Sequence, residues 1–351
     1  MGAPALALAP REGWSWQPSK TAWFDRMHDR ATAFVLAPEL AVDLTGLRRT
    51  LCDAAEARAE WLYHPALSWL CRPAVDDSRS LDPQILLAAW VARHGASELG
   101  AIQVPSTSRL WTPGGPIELA PGCYALDALG AAMRARPIEA TIDLDLFGDT
   151  LGASAGHACI PDGAWRPEED DPDAEAWICA YLSALAFLAE ELPAISAWLT
   201  CVAKVAVPLR QAQDGPEFRS ASDPELPGLI CMDFGCGAVR MLEALVHESA
   251  HLYFYLAEAA APIVPPDRES LRFPSPLKAK ARPLRGVMLA YHALAYITAL
   301  YDALERAGVT SDRRGLADEL ARLRAAADAA EATCLKARHL LTAHGRHFLD
   351  Q

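Results

Sequence analysis

Two histidines and a glutamate lie close together in the segment EALVHESAHLYFYL, residues 243–256. His247, Glu248 and His251 follow the order H-E-x-x-H. On a helix, residues four apart lie on one face, so both imidazoles can reach a single metal ion with Glu248 beside them. The pattern is typical of zinc peptidases, in which the glutamate acts as general base on a metal-bound water. The spacing therefore predicts a metal site on a helix.

Apolar residues surround the motif and predict that this helix is buried. Leu245, Val246, Leu252 and Phe254 occupy the positions around the two histidines. Burying two imidazoles and a carboxylate without partners is costly, and a metal ion would supply the missing partner. We therefore favour a metal site over a pair of ordinary core histidines.

Two histidines do not complete a mononuclear site, so a third ligand must come from another part of the chain. The longer peptidase pattern H-E-x-x-H-x-x-G-x-x-H is not met, because Phe254 and Ala257 stand where its glycine and third histidine belong. The next long apolar segment carries His292, which we predict from ligand count to be the third ligand. Glu258 and Glu269 are the alternatives.

A basic segment, SPLKAKARPLRG at residues 275–286, directly precedes the helix predicted to carry His292. A charge run of this kind is usually a solvated loop. Arg282, however, comes just before Pro283 at the predicted helix start, where its guanidinium could point toward the metal-bearing face. A guanidinium grips a carboxylate through two parallel hydrogen bonds. A peptidase has little need of that contact, whereas an oxidase with a dicarboxylate cosubstrate requires it.

Together these segments resemble the 2-oxoglutarate-dependent H-E-x-x-H peptide β-hydroxylases, which modify ribosomally made precursor peptides in bacterial natural-product pathways. The resemblance rests on SASDPELPGLICMDF, ALVHESAHLYFYL and SPLKAKARPLRG, and it covers residues 217–305. It implies Fe(II), with 2-oxoglutarate and dioxygen as cosubstrates, and a precursor peptide hydroxylated at a side-chain β-carbon. By position it implies His247 and His251 as iron ligands. It also implies that the cosubstrate is bound by Arg282, Ser275 and Lys280.

Two other functions stay open on the sequence. A zinc metallopeptidase would use Glu248 as its general base. A peptide-binding or carrier protein would hold the metal only as a structural element. In a hydroxylase Glu248 has no such role as a base, and it could instead orient an imidazole or take part in ligation.

Composition limits the partners and the compartment. The chain has 351 residues, is 52% hydrophobic and carries a formal net charge of −13. That charge argues against nucleic acids and anionic membranes as partners, because both are polyanions. The nine cysteines are scattered and are interpreted as reduced thiols. With no secretory signal or membrane span recognised in the sequence, we predict a cytoplasmic protein.

The hydrophobic patterns predict an α+β fold that is mostly helical, with a small sheet packed beside the long H-E-x-x-H helix and a helical amino-terminal region. Predicted strands are PIEATIDLDLFGD, CVAKVAVPL and ELPGLICMDF. Helices are predicted in the segments 45–64, 82–100, 176–199, 245–261, 287–308 and 315–341. The histidines of RHLLTAHGRHF, near the carboxyl terminus, are predicted to be solvated.

An acidic, proline-bearing run, RPEEDDPDAEAW at residues 166–177, is the predicted linker between two domains. Residues 166–351 would form the metal-binding catalytic domain. Residues 1–165 could recognise the peptide or pair two copies of the chain as a homodimer. Trp14, Trp16 and Trp23 could form a binding surface there, but core packing is favoured because aromatic side chains bury so much area.

Overall fold

The structure, a computed structural model, describes residues 17–33, 44–59, 63, 101–104, 107–112, 115–125, 143–144, 174–209, 220–224, 226–275, 277, 280–309 and 313–350. Eight α-helices and ten short strands fall within these ranges. The fold is α+β and mostly helical, as predicted.

The helices account for most of the described chain. They are α1 (Gln17–Ala33), α2 (Leu44–Glu56), α3 (Ala174–Glu191), α4 (Pro193–Val202), α5 (Ala238–Ala260), α6 (Leu284–Arg306), α7 (Arg313–Lys336) and α8 (Ala343–Leu349). The strands are β1 (Ala101–Val104), β2 (Ser108–Thr112), β3 (Gly115–Leu119), β4 (Gly122–Ala125), β5 (Asp143–Leu144), β6 (Val205–Leu209), β7 (Ser220–Ala221), β8 (Leu229–Asp233), β9 (Arg272–Phe273) and β10 (Arg282–Pro283).

A four-stranded sheet leads the chain into α5. Its strand order is β5-β6-β8-β7, with β5, β6 and β8 parallel and β7 antiparallel to β8. Every residue of β6 and β8 is buried, as expected for short apolar strands covered on both faces. After β8 the chain turns at Gly237, whose φ of 86° favours glycine, and enters α5. The sheet thus fixes where the H-E-x-x-H helix begins.

α5 is the central helix of the main core. Thirteen of its residues are buried, and it packs against α1, α3, α4 and α6. α6 in turn packs along α7. Trp23, Phe24 and Met27 of α1 belong to the same hydrophobic cluster as α5, so Trp23 is a core residue, as favoured from the sequence. Trp14 and Trp16 lie outside the described residues.

Four of the predicted helices are confirmed and one is wrong. The helices at 45–64, 245–261, 287–308 and 315–341 correspond to α2, α5, α6 and α7. The segment 176–199 is not one helix, because α3 ends at Glu191 and α4 starts at Pro193. Proline has no N–H to donate and clashes with the preceding turn, yet it fits the first position of a new helix.

Other predictions fall wholly or partly outside the described residues. The helix at 82–100 lies there entirely, and the strand within 137–149 is described only as β5. Only residues 174–177 of the predicted linker are described, and they belong to α3. The domain boundary near residue 165 therefore stays a prediction.

A short hairpin joins α5 to α6. β9 pairs with β10 in antiparallel register, so that Arg282 lies opposite Phe273 and Pro283 opposite Arg272. α6 begins directly after Pro283. The hairpin therefore places Arg282 directly before the helix that carries His292.

The carboxyl-terminal helix α8 docks on the end of α5. Thr342 Oγ1 donates to Pro262 O at 2.6 Å, and His344 Nε2 lies 2.9 Å from Ala257 O. Gly345 is buried against the backbone of Ile263. The prediction of a solvated histidine cluster is therefore wrong for His344, because its ring lies against the Ala257 carbonyl of α5, while His339 and His347 are exposed as predicted.

α6 is the one helix in the described part of the chain that is long and apolar enough to cross a membrane. Its most apolar window is 72% buried inside the protein. α6 is therefore placed as a core helix.

Candidate metal and anion site

His247 and His251 lie one turn apart on α5, and their rings are adjacent. The ring centroids are 4.4 Å apart and the ring planes cross at 70°. His247 keeps 31% of its side chain exposed. His251 is half-buried, and its Nδ1 is buried with no hydrogen-bond partner among the described residues. The spacing predicted from the motif is therefore realised as two neighbouring imidazoles at the surface of a buried helix.

His251 is held in the neutral form that a metal requires. Burial lowers the pKa of its imidazole well below the usual value, and the nearby His247, His292 and Arg282 lower it further. A neutral imidazole offers a lone pair, whereas an imidazolium does not. His251 therefore suits a metal ligand.

Glu248 is buried, and both of its carboxylate oxygens are occupied. Ser220 Oγ donates to Oε1 and Ser222 Oγ donates to Oε2, each at 2.6 Å. His247 Nε2 lies 3.8 Å from Oε1. Ser220 lies in β7 and Ser222 directly follows it, so the two serines are two residues apart on an extended chain, share one face and reach the same carboxylate. The alternation in SAS indicates that the two serines share one face, but the sequence does not show that their partner is Glu248.

His292 lies on α6 within a group of aromatic rings. Its Nδ1 is 3.0 Å from Ala250 O, and its ring centroid is 5.0 Å from that of Phe348 and 5.3 Å from that of Tyr253. Burial lowers the pKa of His292 to about 4. A neutral ring that donates from Nδ1 to a carbonyl keeps its lone pair on Nε2, which is how many metal-binding histidines are arranged.

The third ligand is not assigned by the geometry. Among the residues that the structure describes, no three histidine, cysteine, aspartate or glutamate side chains form a group able to hold a metal ion. His292 therefore stays a prediction that rests on ligand count and on its neutral Nδ1–H form. The donor chemistry of His247 and His251 fits a metal, with one position still to be supplied.

Glu258, one of the alternative ligands, is instead engaged by Arg285. Arg285 Nε lies 2.8 and 2.9 Å from its two oxygens, and Nη2 lies 2.5 Å from Oε2. The same guanidinium covers the rings of Phe254 and Tyr255 at 5.8 and 5.7 Å. Arg285 and Glu258 therefore tie α6 to α5. Glu269, the other alternative, is exposed in the loop after α5.

Arg282 is the second component of the candidate site. It is half-buried, and its guanidinium makes no hydrogen bond or ion pair with any described residue. It lies close enough to His251 for its charge to lower the pKa of that imidazole. Gly286 leaves it room, because a Cβ there would lie 3.4 Å from Arg282 Nε. An unpaired, half-buried guanidinium offers several donors to an anion.

The other two predicted cosubstrate residues differ from each other. Ser275 lies on the same hairpin as Arg282, and its hydroxyl is buried without a hydrogen-bond partner in the described part of the chain. Lys280 is exposed to solvent. Ser275 therefore has an unused donor near the hairpin strands, whereas Lys280 belongs to the outer surface.

Tyr255 was missed by sequence reasoning. It follows His251 by one helical turn, and their ring centroids are 6.3 Å apart. Burial, and next the charge of Glu248, raise the pKa of the Tyr255 phenol. The spacing of His247, His251 and Tyr255, each four residues after the last, was the signal that places all three on one face.

Comparisons with known proteins do not extend this description. No protein-family model matches the chain, and no curated protein matches it.

Proposed function

We propose that this protein is an Fe(II)- and 2-oxoglutarate-dependent oxygenase that hydroxylates a side-chain β-carbon in a ribosomally made precursor peptide, in the cytoplasm. The observation that carries the proposal is the half-buried guanidinium of Arg282, which has no partner among the described residues and lies near His251, whose ring is adjacent to that of His247. Metal donors next to an unpaired cation are what a chelating dicarboxylate cosubstrate requires.

His247 and His251 would hold the iron, with His292 as the predicted third ligand. When bound, iron with 2-oxoglutarate and dioxygen supplies the oxidising power for hydroxylating an unactivated C–H bond. The contribution of the chain is to keep the imidazoles neutral and oriented. Burial keeps the imidazole of His251 neutral, and the α5 helix fixes the orientation of both rings.

Arg282 would bind the distal carboxylate of 2-oxoglutarate. A guanidinium presents paired N–H groups in a plane that matches a carboxylate. The hydroxyl of Ser275 is a further unused donor on the same hairpin. These contacts would fix the cosubstrate relative to His251 before the peptide binds.

The contacts of Glu248 disfavour the alternative of a zinc metallopeptidase. A general base must reach the proton that it abstracts, but here both carboxylate oxygens accept hydrogen bonds from serine hydroxyls. Glu248→Gln separates the two functions. We expect the oxygenase to retain a measurable share of turnover, whereas a peptidase would lose nearly all of it.

An anaerobic titration tests the metal and the cosubstrate together. Ferrous ion is added to the metal-free protein with 2-oxoglutarate, and we expect the weak visible charge-transfer band of an iron-bound keto acid. Arg282→Ala should weaken 2-oxoglutarate binding, while Arg324→Ala, which breaks an exposed ion pair with Asp302 on α6, should not. Absence of the band, together with tight zinc binding, would reject the oxygenase and leave a peptidase or a structural metal.

The reaction itself is tested by mass spectrometry. The protein is incubated with Fe(II), 2-oxoglutarate and the peptides encoded beside its gene. We expect a mass gain of one oxygen that depends on both additions. Cleavage of the peptide without 2-oxoglutarate would support the peptidase instead.

A further inference from the structure

The hairpin that carries Arg282 also has an exposed outer surface. We define the basic hairpin surface as Leu271, Arg272, Leu277 and Lys280, all of which are exposed. Leu271 is 39% exposed and Leu277 is 37% exposed. Among the described residues, the only other exposed large hydrophobic side chain is Leu335 on α7. Two of the three exposed leucines therefore belong to one short hairpin.

The charge of this segment is opposite to that of the whole chain. Residues 266–285 contain six basic and two acidic residues, in a protein of net charge −13. Arg268 is paired with Asp267. Arg272 donates only to the backbone carbonyls of Glu269 and Leu271, so no acidic side chain neutralises it in the described structure. Lys280 has no ion pair there either. The surface thus combines exposed leucines with unneutralised cations.

We propose that the basic hairpin surface binds an extended peptide segment that carries acidic and large apolar side chains. Cations next to exposed leucines are complementary to such a segment, and they would repel a basic one. The hairpin offers little area, since β9 and β10 have two residues each. A small area suits an extended chain better than a broad folded partner.

The surface shares its hairpin with two residues of the candidate site. Ser275 and Arg282 belong to the same hairpin and are half-buried where the outer residues are exposed. A peptide held on the outer residues would therefore lie on the hairpin that carries Arg282. The statement that this peptide is the substrate rests on the proposed function. The binding of the peptide to the hairpin does not depend on it.

Binding is measured by fluorescence anisotropy on the full chain, without iron or 2-oxoglutarate. The probe is a short fluorescein-labelled peptide in which leucine alternates with aspartate. We expect saturable binding that weakens as salt is added, because the attraction between exposed charges is screened. A peptide that alternates leucine with lysine, and one that alternates serine with aspartate, should each bind at least about tenfold more weakly.

Variants locate the binding on the molecule. Leu271→Ser with Leu277→Ser should weaken binding by about tenfold, and Arg272→Glu with Lys280→Glu should do the same and reduce the salt dependence. The matched controls are Leu335→Ser and Lys336→Glu, adjacent exposed residues on α7, which should leave binding unchanged. All of these side chains are exposed, so thermal unfolding followed by circular dichroism should be close to that of the wild type.

Three results would overturn the inference. The first is that the acidic and the basic peptide bind equally well. The second is that the α7 control variants weaken binding as much as the hairpin variants do. The third is that no peptide binds, while the hairpin variants sediment differently from the wild type. The last result would make the surface an interface between copies of the chain. The charge-transfer titration is independent of this assay, so peptide binding without that band would keep the docking surface and reject the oxygenase.

Discussion

At the scale of single residues, the two serines that hold Glu248 make a specific stability prediction. Hydrogen bonds to a charged group contribute about 1.5–3 kcal/mol each. Ser220→Ala and Ser222→Ala should therefore each lower the free energy of unfolding by about that amount, since each leaves one oxygen of a buried carboxylate without its donor. Urea unfolding measures the change.

Ser249 supplies the matched control for this prediction. It is the next residue on α5 after Glu248, it is fully buried, and its hydroxyl has no hydrogen-bond partner in the described structure. Ser249→Ala should be neutral or stabilising, because it removes an unsatisfied polar group. Equal losses from Ser220→Ala and Ser249→Ala would show that the Glu248 contacts do not stabilise the fold.

Gly286 offers a way to disturb Arg282 without removing it. A Cβ at this position would lie 3.4 Å from Arg282 Nε and 3.6 Å from Cζ, in van der Waals contact with the guanidinium, and would restrict its movement toward an anion. Alanine stabilises a helix relative to glycine by about 0.5–1 kcal/mol. Gly286→Ala should therefore leave the free energy of unfolding unchanged or raised, yet weaken 2-oxoglutarate binding.

Calorimetry with 2-oxoglutarate and the ferrous protein measures that binding, and urea unfolding measures stability. Gly122→Ala is the control, because a Cβ there meets nothing closer than 3.8 Å. Unchanged 2-oxoglutarate affinity in Gly286→Ala, with Arg282→Ala also unaffected, would remove Arg282 from the proposed site.

At the scale of secondary structure, the strand β8 ends in a buried acid just before the turn into α5. Asp233 is 2% exposed. Its Oδ1 accepts from Gly235 N at 2.8 Å, and Cys236 Sγ donates to its carbonyl oxygen. Burial raises the pKa of the Asp233 carboxyl above its ordinary value, although the Gly235 hydrogen bond partly opposes this. The ionised form is thus disfavoured in the folded protein.

The raised pKa gives a pH dependence with a defined sign. When the folded pKa lies above the unfolded one, the stabilisation is complete below the unfolded pKa and is lost as the pH rises through the folded pKa. Asp233→Asn stays neutral and can keep the Gly235 hydrogen bond. Relative to wild type, it should gain stability as the pH rises from about 4 to 7, measured by urea unfolding. A constant difference across this range would contradict the prediction.

The docking of α8 on α5 depends on a glycine. A Cβ at Gly345 would lie 2.2 Å from Ile263 O, and backbone cannot move aside as a flexible side chain can. Gly345→Ala should therefore cost about 1–3 kcal/mol of unfolding free energy, as overpacked sites do. Phe348 of the same helix contacts His292, so the His292 ring should also become more mobile, which NMR line shapes would report. Ala343→Gly, at an exposed position of α8, controls for helix propensity.

Elements with a clear pattern were predictable, and the contacts between them were not. The apolar spacing around His247 predicted α5, and Pro262 marked its end closely. Pro193 indicates a break between two helices, but the continuous apolar run around it predicted a single helix. The hydrogen bonds from Ser220 to Glu248 and from His292 to the carbonyl oxygen of Ala250 join different elements. Such pairs depend on how α5, α6 and the sheet pack, which periodicity does not encode.

At the scale of the whole molecule, the same reasoning applies to the division into domains. Composition placed a boundary at the acidic run near residue 165, because that run has little to bury. α1, however, packs through Trp23, Phe24 and Met27 against α5, which is far away in the sequence. They join the cluster that surrounds α5, so at least this amino-terminal helix shares the core of the candidate site.

This shared core predicts that the carboxyl-terminal half is not stable on its own. Trp23 is 3% exposed and meets Phe24 and Tyr63 edge to face. Trp23→Ala in the full chain should cost about 3–5 kcal/mol, as for other buried large-to-small changes. A fragment of residues 166–351 should expose the apolar face of α5 that α1 covers, bind the dye ANS and unfold with low cooperativity. A fragment that unfolds cooperatively with the stability of the full chain would instead support two independent domains. The exposed change Leu335→Ser should leave the stability of the full chain close to wild type, because it removes no buried contact.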